Sequence, residues 1–344
     1  MQQNTLENTA TSHINDILSL AIKHDEGHSA VVVYDLSSSL ASILYEAYKR
    51  SIPKARFIDF NTVTPAYILE AFALLRPADL VVLIQSTNFR LEAFRIRVEL
   101  FKRHLKVIEH PHLGRMNGEE ISYYIDSLAY DSNYFHTIGH SLKALIDNAR
   151  TAVVDSGLDA HGEATQLFFE GGLESAKLNI GDYSEMTNIG GQFPIGEVFT
   201  EAQDLERVHG RVRIFAFGDK NFEVNKPREP IILIINKGRV TGVENSVPDF
   251  DLVIQQIRED EGEVYLRELG FGMNRAFSRE RTVIDIGSYE RMCGVHLSLG
   301  AKHGAYNKPQ IRRAHAKYHV DIFAITERVS LDDVVVYQDG AWRV

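Results

Sequence analysis

Four short apolar runs in the first 150 residues, each separated from the next by a stretch of helical period, constrain this chain more than any other feature. Ala30-Val31-Val32-Val33-Tyr34, Arg56-Phe57-Ile58-Asp59-Phe60, Leu80-Val81-Val82-Leu83-Ile84 and Lys106-Val107-Ile108 read as buried strands. Between them, 39–51, 65–75 and 90–103 carry apolar residues at helical spacing. Strands apolar on both faces have to be covered on both faces, which predicts a parallel sheet with helices on either side. A leading helix with Leu6, Ile14, Ile17, Leu18 and Ala21 on one side is expected to pack against that sheet. No GxGxxG follows the first strand and no GxxxxGK motif occurs, which argues against a dinucleotide or nucleoside triphosphate role.

From about residue 151 the pattern changes to short strands between Gly, Asn and Asp turns. Candidates are 166–170, 175–180, 212–217, 231–235, 264–269, 283–286 and 334–337, with helices expected near 248–259 and 306–316. The sequence therefore predicts an α/β domain with a parallel sheet over 1–150 and an α+β, largely antiparallel β, catalytic domain over 151–344. The junction is expected at 149–159, where a long helix ends. At 344 residues two cores are expected rather than one.

Within the second half, two apolar runs carry polar side chains of the kind that bind metals. In Tyr318-His319-Val320-Asp321-Ile322, strand alternation turns His319 and Asp321 the same way and sends Val320 and Ile322 into a core. Gly294-Val295-His296-Leu297-Ser298-Leu299 repeats the arrangement with His296. Glu197 sits in Gly190-Gly191-Gln192-Phe193-Pro194-Ile195-Gly196-Glu197, read as an irregular loop that delivers one carboxylate. Glu268 follows Val264-Tyr265-Leu266 and precedes Gly270-Phe271-Gly272. Five such groups are enough to hold two divalent ions with positions left for water and substrate.

A net charge of −10 offers no footprint for nucleic acid or an anionic membrane, so neither is expected as a partner. The single cysteine, Cys293, rules out an internal disulfide. The N-terminus reads as neither a signal peptide nor a membrane span, and a cytoplasmic location is expected.

Taken in order and spacing, Pro194-Ile195-Gly196-Glu197-Val198-Phe199-Thr200, Glu268-Leu269-Gly270, Cys293-Gly294-Val295-His296-Leu297-Ser298-Leu299-Gly300 and His319-Val320-Asp321 resemble the thermophilic-type metalloaminopeptidases, the leucyl aminopeptidase and aminopeptidase T and S relatives. The resemblance spans about 190–325, and the N-terminal part matches only in general α/β character. It implies that Glu197, Glu268, His296, His319 and Asp321 surround two divalent ions such as Zn, Co or Mn. It also implies a hydrolase that removes N-terminal residues from small peptides, and a homodimer around an enclosed cavity. Glu197 is the expected general base. Seven residues after the first histidine, where the peptidases carry a tyrosine, this chain has His303, and its nearest tyrosine is Tyr306. His303 is expected to take over as donor to the developing oxyanion. A related branch resembles the dihydroxypyridine ring-cleaving dioxygenases, in which His296, His319 and Asp321 would hold one Fe(II). The presence of both Glu197 and Glu268 leans toward the two-metal version.

Other polar positions have plainer readings. His136 and His140 have the i, i+4 spacing of helical ligands but lack the glutamate of HExxH, and are expected at a helix surface or core edge. His110-Pro111-His112 reads as a loop, His315 as an exposed loop residue, and Glu290-Arg291 as a solvated charge pair. Lys302, Lys308, Arg312 and Arg313 form a basic cluster that is either a solvated face or a site for a substrate carboxylate.

Overall fold

The computed structural model describes residues 2–89 and 96–344. They divide into two compact units. One comprises the chain up to His136 with Gly181–Ile195 and Arg281–Ser288; the other comprises Thr137–Ile180, Gly196–Glu280 and Tyr289–Val344. Residues 90–95, the start of the helix expected over 90–103, lie outside the described residues.

In the first unit, α1 (Gln2–Asp16) continues through one π turn at Ile17–Ala21. There follow β1 (Ala30–Tyr34), α2 (Ser39–Ser51), β2 (Arg56–Asp59), α3 (Pro65–Ala73), β3 (Leu80–Ile84), α4 (Ile96–Lys102), β4 (Lys106–His110) and α5 (Glu120–Ser127). Ser38 and Thr64 cap α2 and α3, their hydroxyls accepting from the N–H groups of Ala41 and Tyr67. Pro65 occupies the first turn of α3, where a missing N–H leaves no bond unmade. The strands pair in parallel in the order β2-β1-β3-β4. Alternation sends Val31, Val33, Val81, Leu83 and Val107 into one core with Ile68 and Phe72 of α3 and Leu100 of α4. Val32, Val82 and Ile108 are left for the opposite face. The leading helix packs chiefly on α2 and α5 rather than on the sheet, because the crossover helices already cover the strands.

Next, α6 (Ser132–Asn148) leads to β5 (Thr151–Leu158), β6 (Ala164–Glu170) and β7 (Lys177–Asn179), and β8 (Gly190–Gln192) then adds a fifth parallel strand beside β4. Gly190, at φ +96°, lies so close to that neighbour that a Cβ would be 1.9 Å from the Val107 carbonyl oxygen. Only glycine fits there.

The second unit continues with β9 (Glu197–Glu201), β10 (Val208–Gly218), β11 (Val224–Asn225), β12 (Ile231–Asn236), β13 (Arg239–Glu244), α7 (Pro248–Glu261) and β14 (Leu266–Gly272). After α8 (Ile286–Tyr289) come β15 (Gly294–Leu299), β16 (Val320–Ala324), β17 (Arg328–Leu331), β18 (Val334–Gln338) and β19 (Ala341–Trp342). The strands of this unit form one antiparallel sheet in the order β19-β18-β17-β5-β6-β10-β16-β15-β14-β9-β7, with β11 and the β12-β13 hairpin joined at β10. Phe250, Val253, Ile254 and Ile257 form the buried stripe of α7, which Gly262 ends at φ +82°.

Two expected elements are different. The 283–286 segment is no strand but the entry to α8, where Asp285 accepts from the Ser288 N–H at 3.0 Å and the Ser288 hydroxyl at 2.9 Å. The 306–316 segment holds only a 3₁₀ turn at Arg313–His315, since Pro309 interrupts it and its polar residues leave no apolar stripe to bury. Among the described residues no helix is long and apolar enough to cross a membrane.

Candidate metal centre

Adjacent strands β9, β14, β15 and β16 build the centre. Glu197 pairs with Gly272, Gly270 with His296, and Ser298 with Asp321. Because successive residues alternate faces, these six positions lie on one face of the sheet. The two glycines of β14 make room on that face, Gly270 for the imidazole of His296 and Gly272 for the Met292 carbonyl. A one-residue register shift between Leu266 and Leu269 interrupts the alternation beside Glu268, whose N–H is taken up by Ser298 Oγ at 3.1 Å. Glu197 therefore stands in a strand rather than in the irregular loop expected for it, and Glu268 lies in β14, which overlaps the strand expected over 264–269 and runs on to Gly272. Pairing of β14 on both sides satisfies the backbone of this glycine-rich segment.

Glu197, Glu268 and His296 are all buried and offer ligand atoms that lie within 4.8 Å of one another. His296 Nε2 is 3.1 Å from Glu197 Oε1 and 3.2 Å from Glu268 Oε1. Two donors bound about 2.1 Å from one ion are themselves about 3 to 3.5 Å apart, so this spacing suits a shared cation. A second set stands beside the first: His319 Nε2 is 3.1 Å from Asp321 Oδ1. Asp321 Oδ1 is nevertheless buried without a hydrogen bond, as is His296 Nδ1. His319 Nδ1 faces the Lys302 carbonyl oxygen at 3.1 Å and so carries a proton, which in the neutral ring leaves a lone pair on Nε2. Two lone-pair atoms 3.1 Å apart require a proton or a cation between them. The same demand appears in the acidities. Burial alone would lower the His319 pKa, but the Asp321 carboxylate overrides it and raises it to about 10. Burial likewise opposes charge on His296, and contacts with Glu197 and Glu268 still hold it well above its ordinary value. The three-residue set fits a divalent ion, and His319 and Asp321 offer two further ligand atoms.

His303 adjoins the centre in a different way. Its Nδ1 accepts the Ala305 N–H at 3.1 Å, so in the neutral ring the proton sits on Nε2, which approaches Glu268 Oε2 to 2.9 Å without hydrogen-bond alignment. A protonated nitrogen is a donor and not a ligand. Its loop is held from within. Arg267 donates to the carbonyls of Ala301 and of Tyr306, the latter at 3.2 Å, and pairs with buried Glu201. Lys308 Nζ binds Glu174 at 2.6 Å and lies 3.6 Å from Glu201. Lys308 is thus no part of a solvated face; it is buried because two carboxylates receive its charge.

Arg291 and Glu290 also correct their expected reading. The guanidinium is buried, 2.9 Å from Glu197 Oε2 and in contact with Glu290. Burial pushes the Glu290 pKa up against the pull of Arg291, and the negative charge of Glu197 adds to this, raising it to about 8. The signal for Arg267 was present in the sequence, as a cation inside the apolar run 264–271. For Arg291 nothing local pointed inward.

The remaining histidines lie elsewhere. His110 ends β4 fully buried rather than in a loop, because Tyr48 Oη at 2.8 Å and Tyr124 Oη at 2.9 Å satisfy both ring nitrogens. His112 Nδ1 is 3.1 Å from Asp285, His136 Nε2 is 2.9 Å from Tyr130 Oη, and His140 and His315 are exposed.

No family model and no curated protein matches this chain. Among solved structures it is similar to 2,5-dihydroxypyridine dioxygenase from Pseudomonas putida KT2440, with 17% identity and a TM-score of 0.65 over 98% of this chain and 97% of that one. It is also similar to wild-type AmpT from Thermus thermophilus, with 14% identity and a TM-score of 0.59 over 98% of this chain and 99% of that one. At such identities the likeness is one of fold.

Proposed function

We propose that the protein is a metal-dependent hydrolase of the aminopeptidase type that cleaves small peptides with water activated between two divalent ions. The observation that carries this reading is the division of the ligand atoms into two sets. Glu197, Glu268 and His296 form one compact group, and His319 with Asp321 forms another. A single Fe(II) centre would instead need His296 together with His319 and Asp321, yet His296 is directed at the two glutamates. When bound, the ions would lower the pKa of water and polarise the scissile carbonyl.

The protein's own groups complete the arrangement. Glu197 presents only Oε1 to the centre while Arg291 holds Oε2, so where Glu268 and His296 hold the ion, Oε1 is the atom that accepts a proton from water. His303 points a protonated Nε2 at the same region and can donate to the oxygen that gains charge. The burial of Glu197, Glu268, His296 and Asp321 excludes bulk water and strengthens these interactions.

The similarity to a dioxygenase favours a second reading, ring opening at one ferrous ion. Metal analysis of the purified protein tests the choice directly. Two ions per chain, falling to about one in His319→Ala and in Asp321→Ala, is the expected result, with peptide hydrolysis and no oxygen uptake. One ion per chain and oxygen consumption dependent on Fe(II) would move the assignment to the dioxygenase.

A further inference from the structure

The loop that carries His303 also lines a pocket of about 230 Å³ in which cations predominate: Arg267, Lys302, Lys308 and Arg313 are among its walls beside His303, and no carboxylate is. The charges of Arg267 and Lys308 are met from behind by Glu201 and Glu174. Lys302 and Arg313 differ. Among the described residues neither has a carboxylate partner, so their charge is free to act on the pocket. In a chain of net charge −10, a cavity with uncompensated positive charge and no acidic wall selects for an anion.

Building on the peptidase reading, we propose that this pocket is a subsite for the carboxylate of the substrate, which makes short peptides with a free C-terminus the preferred class. Three features combine. The volume is small for a ligand pocket and admits one small residue with its terminal group rather than a continuing chain. The fork of Arg313 and the ammonium of Lys302 match a carboxylate. His303 belongs both to this pocket and to the surroundings of Glu268, so a carboxylate bound here lies within a residue or two of the bond under attack. Arg267 acts as a positioning residue, since its bonds to the Ala301 and Tyr306 carbonyls hold both ends of the segment that bears His303.

The test compares leucylglycine with its C-terminal amide, which differ only in the terminal charge, on metal-loaded wild type and on the Lys302→Gln/Arg313→Gln double variant. Two exposed ion pairs correspond to a preference for the acid of roughly tenfold in kcat/KM, expressed mainly in KM. The expected result is this preference in the wild type and a ratio near one in the variant. A wild-type ratio near one, or a ratio that survives in the variant, overturns the subsite. If neither peptide is hydrolysed, the peptidase reading fails by itself, and calorimetric titration of N-acetylglycine against N-acetylglycinamide decides the subsite. Binding of the acid alone, lost in the variant, sustains it; equal binding of acid and amide, or none, overturns it.

Discussion

The imidazole of His296 lies directly over Gly270 of the neighbouring strand, so close that a Cβ on Gly270 would be 2.1 Å from its Cε1 and Nε2. The requirement for glycine is one of space, set by the ring that must reach Glu197 and Glu268. Gly270→Ala should therefore push the ring away from its carboxylate partners while leaving the strand paired. We expect metal affinity at the Glu197, Glu268 and His296 set to fall by roughly 10- to 100-fold, with overpacking costing about 1–3 kcal/mol. Metal titration with the variant checks this; wild-type affinity would mean that the ring is free to lie elsewhere.

Arg291 stands between two carboxylates, buried Glu197 and half-buried Glu290. Replacing it with methionine leaves Glu197 without its cation and drives Glu290, already raised to about 8, further toward the protonated acid, a change that costs about 3–5 kcal/mol in the metal-free protein. Adding Glu290→Gln should restore part of the loss. Urea denaturation of the chelated single and double variants measures both, and a double variant no more stable than the single would remove Glu290 from the network.

His303→Phe keeps the ring volume and its contacts with Phe199 and Tyr306 but deletes the donor. Metal content should be unchanged, and kcat should fall roughly ten- to a thousandfold, the scale of losing one oxyanion donor or acid-base group. A matching loss of metal would show that His303 is a ligand instead.

His110 couples stability to pH. Burial lowers its pKa to about 3 in the folded protein, against about 6.5 for an unperturbed histidine. Between those values the unfolded chain binds a proton that the folded chain does not, so stability rises with pH through this window and falls on acidification by about 1.4 kcal/mol per pH unit from this group. His110→Gln removes that contribution. On acidification from pH 6.5 to 4, denaturation midpoints should fall more steeply for the wild type than for the variant, and parallel curves would contradict the burial of a neutral imidazole.

Much of the first unit was legible along the chain. The runs at 30–34 and 80–84 and the helix at 39–51 coincide with β1, β3 and α2, because a buried strand must be apolar on both faces and a packed helix must bury a stripe of helical period. The approach of His319 to Asp321 was legible for the same local reason, a period of two along one strand. Lys308, Glu290 and Arg291 were not, since a charged side chain looks alike in a sequence whether water or a distant carboxylate receives it.

The sequence by itself determined the parallel α/β beginning, the change to short strands beyond it, and the identity of the polar side chains available to a metal. All of these depend on periodicity and residue chemistry within a few positions. Only the tertiary structure decided that Glu197 and Glu268 meet His296 while His319 pairs with Asp321, and that Arg291 and Arg267 are buried with carboxylates of their own. Those relations depend on strand register, on a register shift in β14 and on two glycines that make room for the His296 ring and the Met292 carbonyl. Pairing across a sheet joins residues tens of positions apart, and no local period encodes which of them will face one another.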